Sequence, residues 1–528
     1  MMKRAREEDD SADERPVKAF RAAGIDRLSR LSDELIVRIL SFGSVPALLN
    51  CQRVSKRLSR ISVDSQLWKA AYYNQFVLPR ASRLSGIKST KNGGTSEHLC
   101  YSSRASKWLE DGHLVKKGSN TDWKQQYRLR HNWSQGQCAV SEIVVADRPP
   151  EPPLLVMMHN SMLFTADSIS GLRVWTSQDP RQLIASIALM EPKTNALRLP
   201  TAMALDAFEQ SVTNQRVVLG FEDGSFTIYV LKREESILTP LFDHPPSSNG
   251  MLSALAYSSP YIMTMTEDQM VTLYAFSEDE TLNGTLDPPR LLYSLRSHTA
   301  WPPVSIAVRT HANGMTAAIA YALPTHLTGW TVGIQEMRLS SAGELLQSRL
   351  ATAAPGSTLI KSQPMSMSYS HPYLLATHSD NTLTVYLVKS TTEALSISAG
   401  TRLWGHTSSI SGAHVGMRGK AVSVSKIGDE LRVWDLEGGA NPTLRRRRPS
   451  NGDMSVRVQP LRASAEDEAE DTSTAAQVPS SGLRFALDQK FDEEVVNRGW
   501  VGFDERNVVV LRERTREGRQ ALVVYDFT

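Results

Sequence analysis

Three consecutive residues, His378-Ser379-Asp380, are of the types that hydrolases use to activate a nucleophile. Neighbours in an extended chain point to opposite faces, so three in a row cannot converge as a triad, and the segment reads as a turn between two β-rich runs. Cys51, Cys100 and Cys138 are an odd number at wide spacing. That suits neither a disulfide framework nor a paired-cysteine zinc site, and all three read as buried small hydrophobes. The chain has no phosphate-cradling Gly-Lys-Ser loop, no dinucleotide fingerprint and no His-Glu-x-x-His pair. Neither a cofactor nor a metal is expected, and the chain is not expected to be an enzyme. One basic run remains, Arg445-Arg-Arg-Arg-Pro-Ser450. It has the form of a basic kinase site at Ser450 or of an import signal, and phosphate there would offset part of the local charge. The acidic run Glu466-Asp-Glu-Ala-Glu-Asp471 makes a self-screened polar loop the simpler reading.

The 528 residues are too many for one ordinary core, so more than one unit is expected. With 41% hydrophobic and 22% charged residues the composition is that of a soluble globular protein. No run of about 18 apolar residues is present, and a membrane partner is not expected. A net charge of +3 gives no general argument for nucleic acid, and the basic connector lacks a recognisable nucleic-acid module. The first residues lack the apolar stretch of a secretory signal, so a cytoplasmic or nuclear location, or both, is expected. Residues 1–24 mix charges of both signs with few apolar side chains and read as a disordered arm. Within them Lys3-Arg4 with Arg15-Pro-Val-Lys18 has the outline of a split import signal, though a solvated charge run is simpler.

Residues 25–76 parse as three short helices. Ser32 is placed to cap the first, whose opening turn is acidic (Asp33, Glu34) and whose apolar residues are Leu35, Ile36, Ile39, Leu40 and Phe42. Pro46 suits the first turn of a second, in which Ala47, Leu48, Cys51, Val54 and Leu58 recur every three or four residues. Asp64 starts a third, carrying Leu67, Trp68, Ala71, Tyr72 and Phe76. The apolar arc of the first helix is wider than packing in so small a unit needs, and units of about 50 residues usually require a staple or a partner. With no metal or disulfide indicated, that partner should be another protein.

Leu31-Ser-Asp-Glu-Leu35, Ile39-Leu40, Leu48-Leu49, Val54-Ser-Lys-Arg-Leu58 and Leu67-Trp68 are, in order and spacing, similar to the F-box, the module that docks on a Skp-type adaptor. Ser32 stands where that family usually has Pro, which should alter the helix start more than the docking face. The resemblance implies that Leu31, Leu35, Leu40, Leu48, Val54, Leu58, Leu67 and Trp68 are candidates for the adaptor interface. Residues 77–136 read as a basic connector with weak helical signal at Trp108-Leu109 and Trp123 to Arg130. Trp123-Lys-Gln-Gln-Tyr127 with Asn132-Trp133-Ser-Gln-Gly136 resembles the junction that F-box proteins of the WD-repeat type place before their propeller.

From residue 137 on, short β-rich runs end in a recurring tetrapeptide whose aromatic residue is Trp175, Tyr229, Tyr274, Tyr386, Trp434 or Tyr525. Three of the gaps, 54, 45 and 48 residues, lie near the period of a propeller blade. The gap of 112 after Tyr274 leaves room for one more, around 304–308, 315–321 and 329–332. A seven-bladed β-propeller of degenerate WD-type repeats over 137–528 is therefore expected, with turns at Asp223-Gly224 and Ser379-Asp-Asn381. Its last repeat supplies strands at 495–504, 506–512 and 521–527, with a fourth expected from 137–145, so that ring closure removes two sheet edges. Residues 437–480 break the repeat and read mostly as a disordered loop, with 455–460 an outer strand. Gly405-His406 answered by Trp434-Asp435 marks the most regular repeat, and resemblance to WD repeats implies a buried set of His406, Ser423, Asp429 and Trp434 with a structural role.

The fold class expected is thus α plus all-β: a three-helix F-box, a connector and a propeller. The resemblance implies a substrate-recognition adaptor of an SCF ubiquitin ligase, docked on a Skp-type adaptor, reaching a cullin through it, and holding an unknown target on its propeller. The alternative is a propeller scaffold that binds the adaptor without cullin, in trafficking or assembly. The runs expected to line the narrow face, 202–205, 253–256, 304–308 and 365–368, offer no arginine, so phosphate recognition there is not expected.

Overall fold

A computed structural model describes residues 28, 30–77, 122–178, 181–191, 196–206, 214–277, 286–296, 301–311, 314–325, 329–354, 362–416, 419–426, 430–436, 455–460, 500–513 and 519–528. The arm 1–24, Cys100, Trp108, Asp429, Ser450 and most of the insert 437–480 lie outside the described residues. The chain divides into two compact units, Met1–Tyr127 and Arg128–Thr528.

The first unit is helical: α1 (Asp33–Leu40), α2 (Val45–Cys51), α3 (Lys56–Ser62) and α4 (Ser65–Tyr72), with a π-helical turn at Tyr73–Val77. The second helix expected is broken in two. Ser55 is extended (φ −155°, ψ 158°) and its hydroxyl accepts the Leu58 N–H at 3.2 Å, which stops one helix and caps the next. Asp64 caps α4 by accepting the Gln66 N–H at 2.8 Å. Ser32 is extended too, but makes no side-chain cap bond to α1. A fifth helix, α5 (Trp123–Gln135), contains the boundary between the units.

The second unit is a seven-bladed propeller of antiparallel sheets. Blade 1 runs Leu155–His159, Met162–Asp167, Gly171–Thr176 and Leu183–Ile187; blade 2 runs Pro200–Leu205, Asn214–Phe221, Phe226–Lys232 and Ile237–His244. Blade 3 runs Leu252–Ser258, Tyr261–Thr266, Met270–Ala275 and Arg290–Arg296. Blade 4, the one inferred from the long gap, runs Trp301–His311, Gly314–Thr325, Gly329–Ser340 and Leu345–Thr352. Blade 5 has Ser366–Ser370, Tyr373–Thr377 and Leu383–Ser390, with two short outer strands, Leu395–Ile397 and Thr401–Leu403, on the third. Blade 6 runs Ile410–Val415, Lys420–Ser425, Leu431–Asp435 and Ser455–Arg457. Blade 7 joins Val501–Phe503, Asn507–Glu513 and Gln520–Asp526 to Gln137–Ala146. The first strands of the blades form a closed ring in which each neighbours the next.

One sheet cannot hide both faces, and the blades hide theirs against each other. Apolar side chains gather at each seam, for example Phe164, Leu172, Val217 and Leu219 between blades 1 and 2, and Ala318, Ile334, Leu374 and Tyr386 between blades 4 and 5. Closure is the one expected: Ala139 lies opposite Asp526 and Val144 opposite Ala521. A second stitch comes from within the insert, where Gln459–Pro460 pairs in parallel with Gln137 and Cys138. Gly136 makes that approach possible. Its φ is +71°, and a Cβ would stand 2.4 Å from the Arg457 carbonyl oxygen.

Candidate adaptor-docking surface

The helical unit is tied first by charge. Asp33, at the start of α1, takes Arg57 Nη2 and Nε on Oδ1 at 2.6 and 2.9 Å and Arg60 Nη2 on Oδ2 at 2.6 Å. Arg57 Nη2 also donates to the Leu31 carbonyl at 2.6 Å, locking α3 to the strand of chain before α1. The Arg57 hydrogen bond, then the charges of Arg57 and Arg60, outweigh desolvation and hold the Asp33 carboxyl below its usual value.

Its core is small and aromatic. Leu48, Leu67 and Trp68 are buried, with Val37, Leu40 and Val45 packed on them and Trp123 and Tyr127 of α5 closing the cluster. Trp68 meets Tyr127 edge-on at 5.6 Å, and its Nε1–H donates to the Ser62 carbonyl at 2.8 Å. Tyr72 meets Trp123 at 5.6 Å and Phe76 meets Tyr127 at 5.3 Å.

The eight candidate residues therefore divide. Leu35 and Val54 are exposed, by 53% and 70%. Leu31, Leu40 and Leu58 are half-buried. Leu48, Leu67 and Trp68 are enclosed, so they hold the unit together and have no surface left to offer a partner. The reason is α5: the aromatic pair Trp123 and Tyr127, some 50 residues downstream, covers what α1 to α4 leave open. In place of those three, the structure exposes Ile39, Phe42 and Leu49. Leu35 and Ile39 stand at i and i+4 on the outer face of α1, with exposed Phe42 in the turn that follows it, while Ile36, Val37 and Leu40 face inward. That spacing was the available signal. The Arg38 guanidinium lies 4.8 Å over the Phe42 ring, and Val54 sits in the turn between α2 and α3 beside a polar depression lined by Gln52, Arg53, Ser55, Lys56 and Ser59.

In the propeller, His406, Ser423 and Trp434 come together as expected. Trp434 Nε1–H donates to Ser423 Oγ at 2.8 Å, and Ser423 Oγ lies 2.6 Å from His406 Nε2. The acid of the set is Glu430, not foreseen: its Oε2 is 3.4 Å from His406 Nδ1 and accepts the Thr407 N–H at 3.0 Å, while Arg432 Nε donates to Oε1 at 2.7 Å. With the carboxylate on the Nδ1 side, the imidazole proton belongs there and Nε2 accepts from the Ser423 hydroxyl. Asp429, the acid named from the sequence, lies outside the described residues. The His378-Ser379-Asp380 triplet does not converge. His378 is buried against Thr384 Oγ1 at 2.9 Å, Ser379 reaches Ser362, and Asp380 pairs with Arg402 and Thr382. Burial, with a smaller contribution from Arg402, lowers the His378 pKa to about 4.

Residues 28–74 match a family model described as F-box-like, and residues 138–528 match one described as "F-box protein pof12 beta-propeller". The chain belongs to the pof12 F-box family. The first of these matches covers all four helices of the F-box unit, and the second nearly all of the propeller. This F-box protein is similar to "F-box protein pof12" of Schizosaccharomyces pombe, 24% identical over 417 residues that cover 77% of this chain and 84% of the relative. Among solved structures it is similar to the WD40 propeller domain of Doa1 (11% identity, 74% and 96% of the two chains, TM-score 0.37). It is also similar to Saccharomyces cerevisiae Sqt1 (10% identity, 74% and 98%, TM-score 0.39). An F-box joined to a propeller is the architecture of an adaptor that binds other proteins.

Proposed function

We propose that this F-box protein is the target-receiving subunit of an SCF-type ubiquitin ligase, working in the cytoplasm, the nucleus or both. The helical unit docks on a Skp-type adaptor and, through it, on a cullin, and the propeller holds the target protein. The observation that carries this reading is the outer face of α1 and the turn after it, where Leu35, Ile39 and Phe42 remain in water although the unit's own core is filled. Removing such surface from water is the main favourable term in protein association. Transfer chemistry belongs to the partner subunits. This chain contributes proximity, raising the effective concentration of a target lysine at the transfer site.

Affinity capture of the wild type beside Leu35→Asp/Ile39→Asp tests it. Both substitutions fall on exposed positions and leave the inward face of α1 intact. The wild type is expected to bring down adaptor and cullin, and the double variant neither, at an unchanged melting temperature. A variant that captures as much adaptor as the wild type overturns the docking face. A wild type that brings adaptor without cullin overturns the ligase reading in favour of a trafficking or assembly scaffold.

A further inference from the structure

Charge inside most of the propeller is matched one guanidinium to one carboxylate. Arg173 meets Asp167 at 2.8 Å in blade 1, Arg198 meets Asp243 at 2.7 Å in blade 2, Arg402 meets Asp380 in blade 5 and Arg432 meets Glu430 in blade 6. The seam between blades 4 and 5 breaks this pattern. Near the end of that seam where the first strands finish, three arginines gather about one fully buried carboxylate, Glu336. Arg309 Nη2 donates to Glu336 Oε1 at 2.7 Å; Arg349 Nη2 and the Ser390 hydroxyl reach Oε2 at 3.1 and 2.6 Å. Arg338 has no carboxylate partner among the described residues. It shares the Thr391 carbonyl with Arg349, at 2.8 and 2.6 Å, and bonds Ser390 Oγ at 3.2 Å.

One negative charge thus answers three positive ones in a layer only partly open to water. Glu344 and Glu393, the acids on the adjoining turns, are exposed and make no ion pair with it among the described residues. Two histidines border the same layer. His371, 3.4 Å from the Tyr369 hydroxyl, has its pKa lowered to about 4, by burial first and then by the Arg309 charge. The His311 pKa is lowered by desolvation first and then by the Arg309 and Arg338 charges, against the Glu336 carboxylate. Guanidinium left without a counter-charge in a half-buried site is costly, and its planar donor fork matches an oxyanion. The layer is reachable: the Arg309 side chain is 27% exposed and its Nη1 is not used by any hydrogen bond among the described residues.

We propose that the Arg309–Arg338–Arg349 layer at the blade 4–5 seam binds a dianionic oxyanion of the phosphate type, free or esterified on a bound chain. The site lies at the opposite end of the seam from the turns between second and third strands, and it is independent of the adaptor reading. Its test uses the full chain. Melting is followed in inorganic phosphate and in chloride at equal ionic strength, and calorimetry is run with inorganic phosphate, O-phosphoserine and serine. Phosphate is expected to raise the melting temperature beyond chloride, and Arg338→Gln to weaken binding about tenfold or more, since a charge-assisted hydrogen bond is lost. In chloride that variant is expected to melt close to the wild type, because the guanidinium removed has no carboxylate to strand. Tighter binding of phosphoserine than of phosphate assigns the site to an ester, and the reverse to the free ion. Equal melting in phosphate and chloride, or unchanged phosphate binding by Arg338→Gln, overturns the proposal.

Discussion

Glu430 shows how much one side chain can organise. Its carboxylate is pushed up by burial, but the Thr407 N–H, the Arg432 hydrogen bond and charge, and His406 more than reverse that and leave it below the usual carboxylate value. A carboxyl whose folded pKa is depressed stabilises the fold above its unfolded pKa and loses that contribution as pH falls through the folded one. Glu430→Gln keeps an acceptor for Thr407 but not the charge that answers Arg432 and orients His406. The variant should lose about 1–3 kcal/mol at pH 7. Melting both proteins at successively lower pH should bring the curves together once the pH has fallen through the depressed folded pKa, because the wild-type carboxyl is then protonated as well. Curves that stay parallel would mean that the charge is irrelevant and only shape matters at this position. The acid was hard to read because it directly follows Asp429, and periodicity does not fix a turn's length to one residue.

At the scale of elements, α5 is the least expected contributor. Trp123 and Tyr127 complete the core of the helical unit, and Leu129 and Trp133 pack in the propeller's cluster with Val508, Val510 and Phe527. Trp123→Ala removes the partner of Tyr72 and the ring under Lys69 Nζ, 5.6 Å away in each case. The ring is half-buried, so a loss of about 1–3 kcal/mol is expected, confined to the helical unit. Protease resistance within residues 30–77 should fall while the propeller's melting stays put; unchanged resistance would show that α1 to α4 stand alone. The helices themselves were legible from caps and apolar spacing. Which apolar residues face inward was not, because Leu48, Leu67 and Trp68 satisfy a buried pattern and an interface pattern equally, and the side chains that decide between them lie about 50 residues away. The break at Ser55 was hidden for a similar reason: apolar spacing continues across it from Cys51 through Val54 to Leu58. The blades were easier, since a similar tetrapeptide lies in the third strand of six of them, and three of its gaps match the length of one blade.

For the whole propeller, stability is a property of a closed ring rather than of any blade. Each sheet depends on two neighbours, so the weakest join limits all seven, and the join between the two ends of the propeller sequence is the one no short loop enforces. It is secured from three sides: Gln137–Ala146 pairs with Gln520–Asp526, Gln459–Pro460 pairs with the start of that first strand, and Phe527 anchors the chain end. Phe527 is fully buried, stacks on Trp133 at 4.1 Å, donates its N–H to Arg506 O at 3.0 Å and accepts Asn132 Nδ2 at 2.9 Å. Phe527→Ala should cost the propeller about 3–5 kcal/mol and lower its melting temperature without abolishing cooperativity. Ending the chain after Arg519 is a different perturbation. It removes the third strand of blade 7, strands Gln137–Ala146 without its main partner and opens edges that other chains can pair with. That protein should show no cooperative melt and should associate as concentration rises, as followed by calorimetry and light scattering. If it melted cooperatively as a monomer, the ring would not be the unit of stability, and each blade pair would have to carry its own.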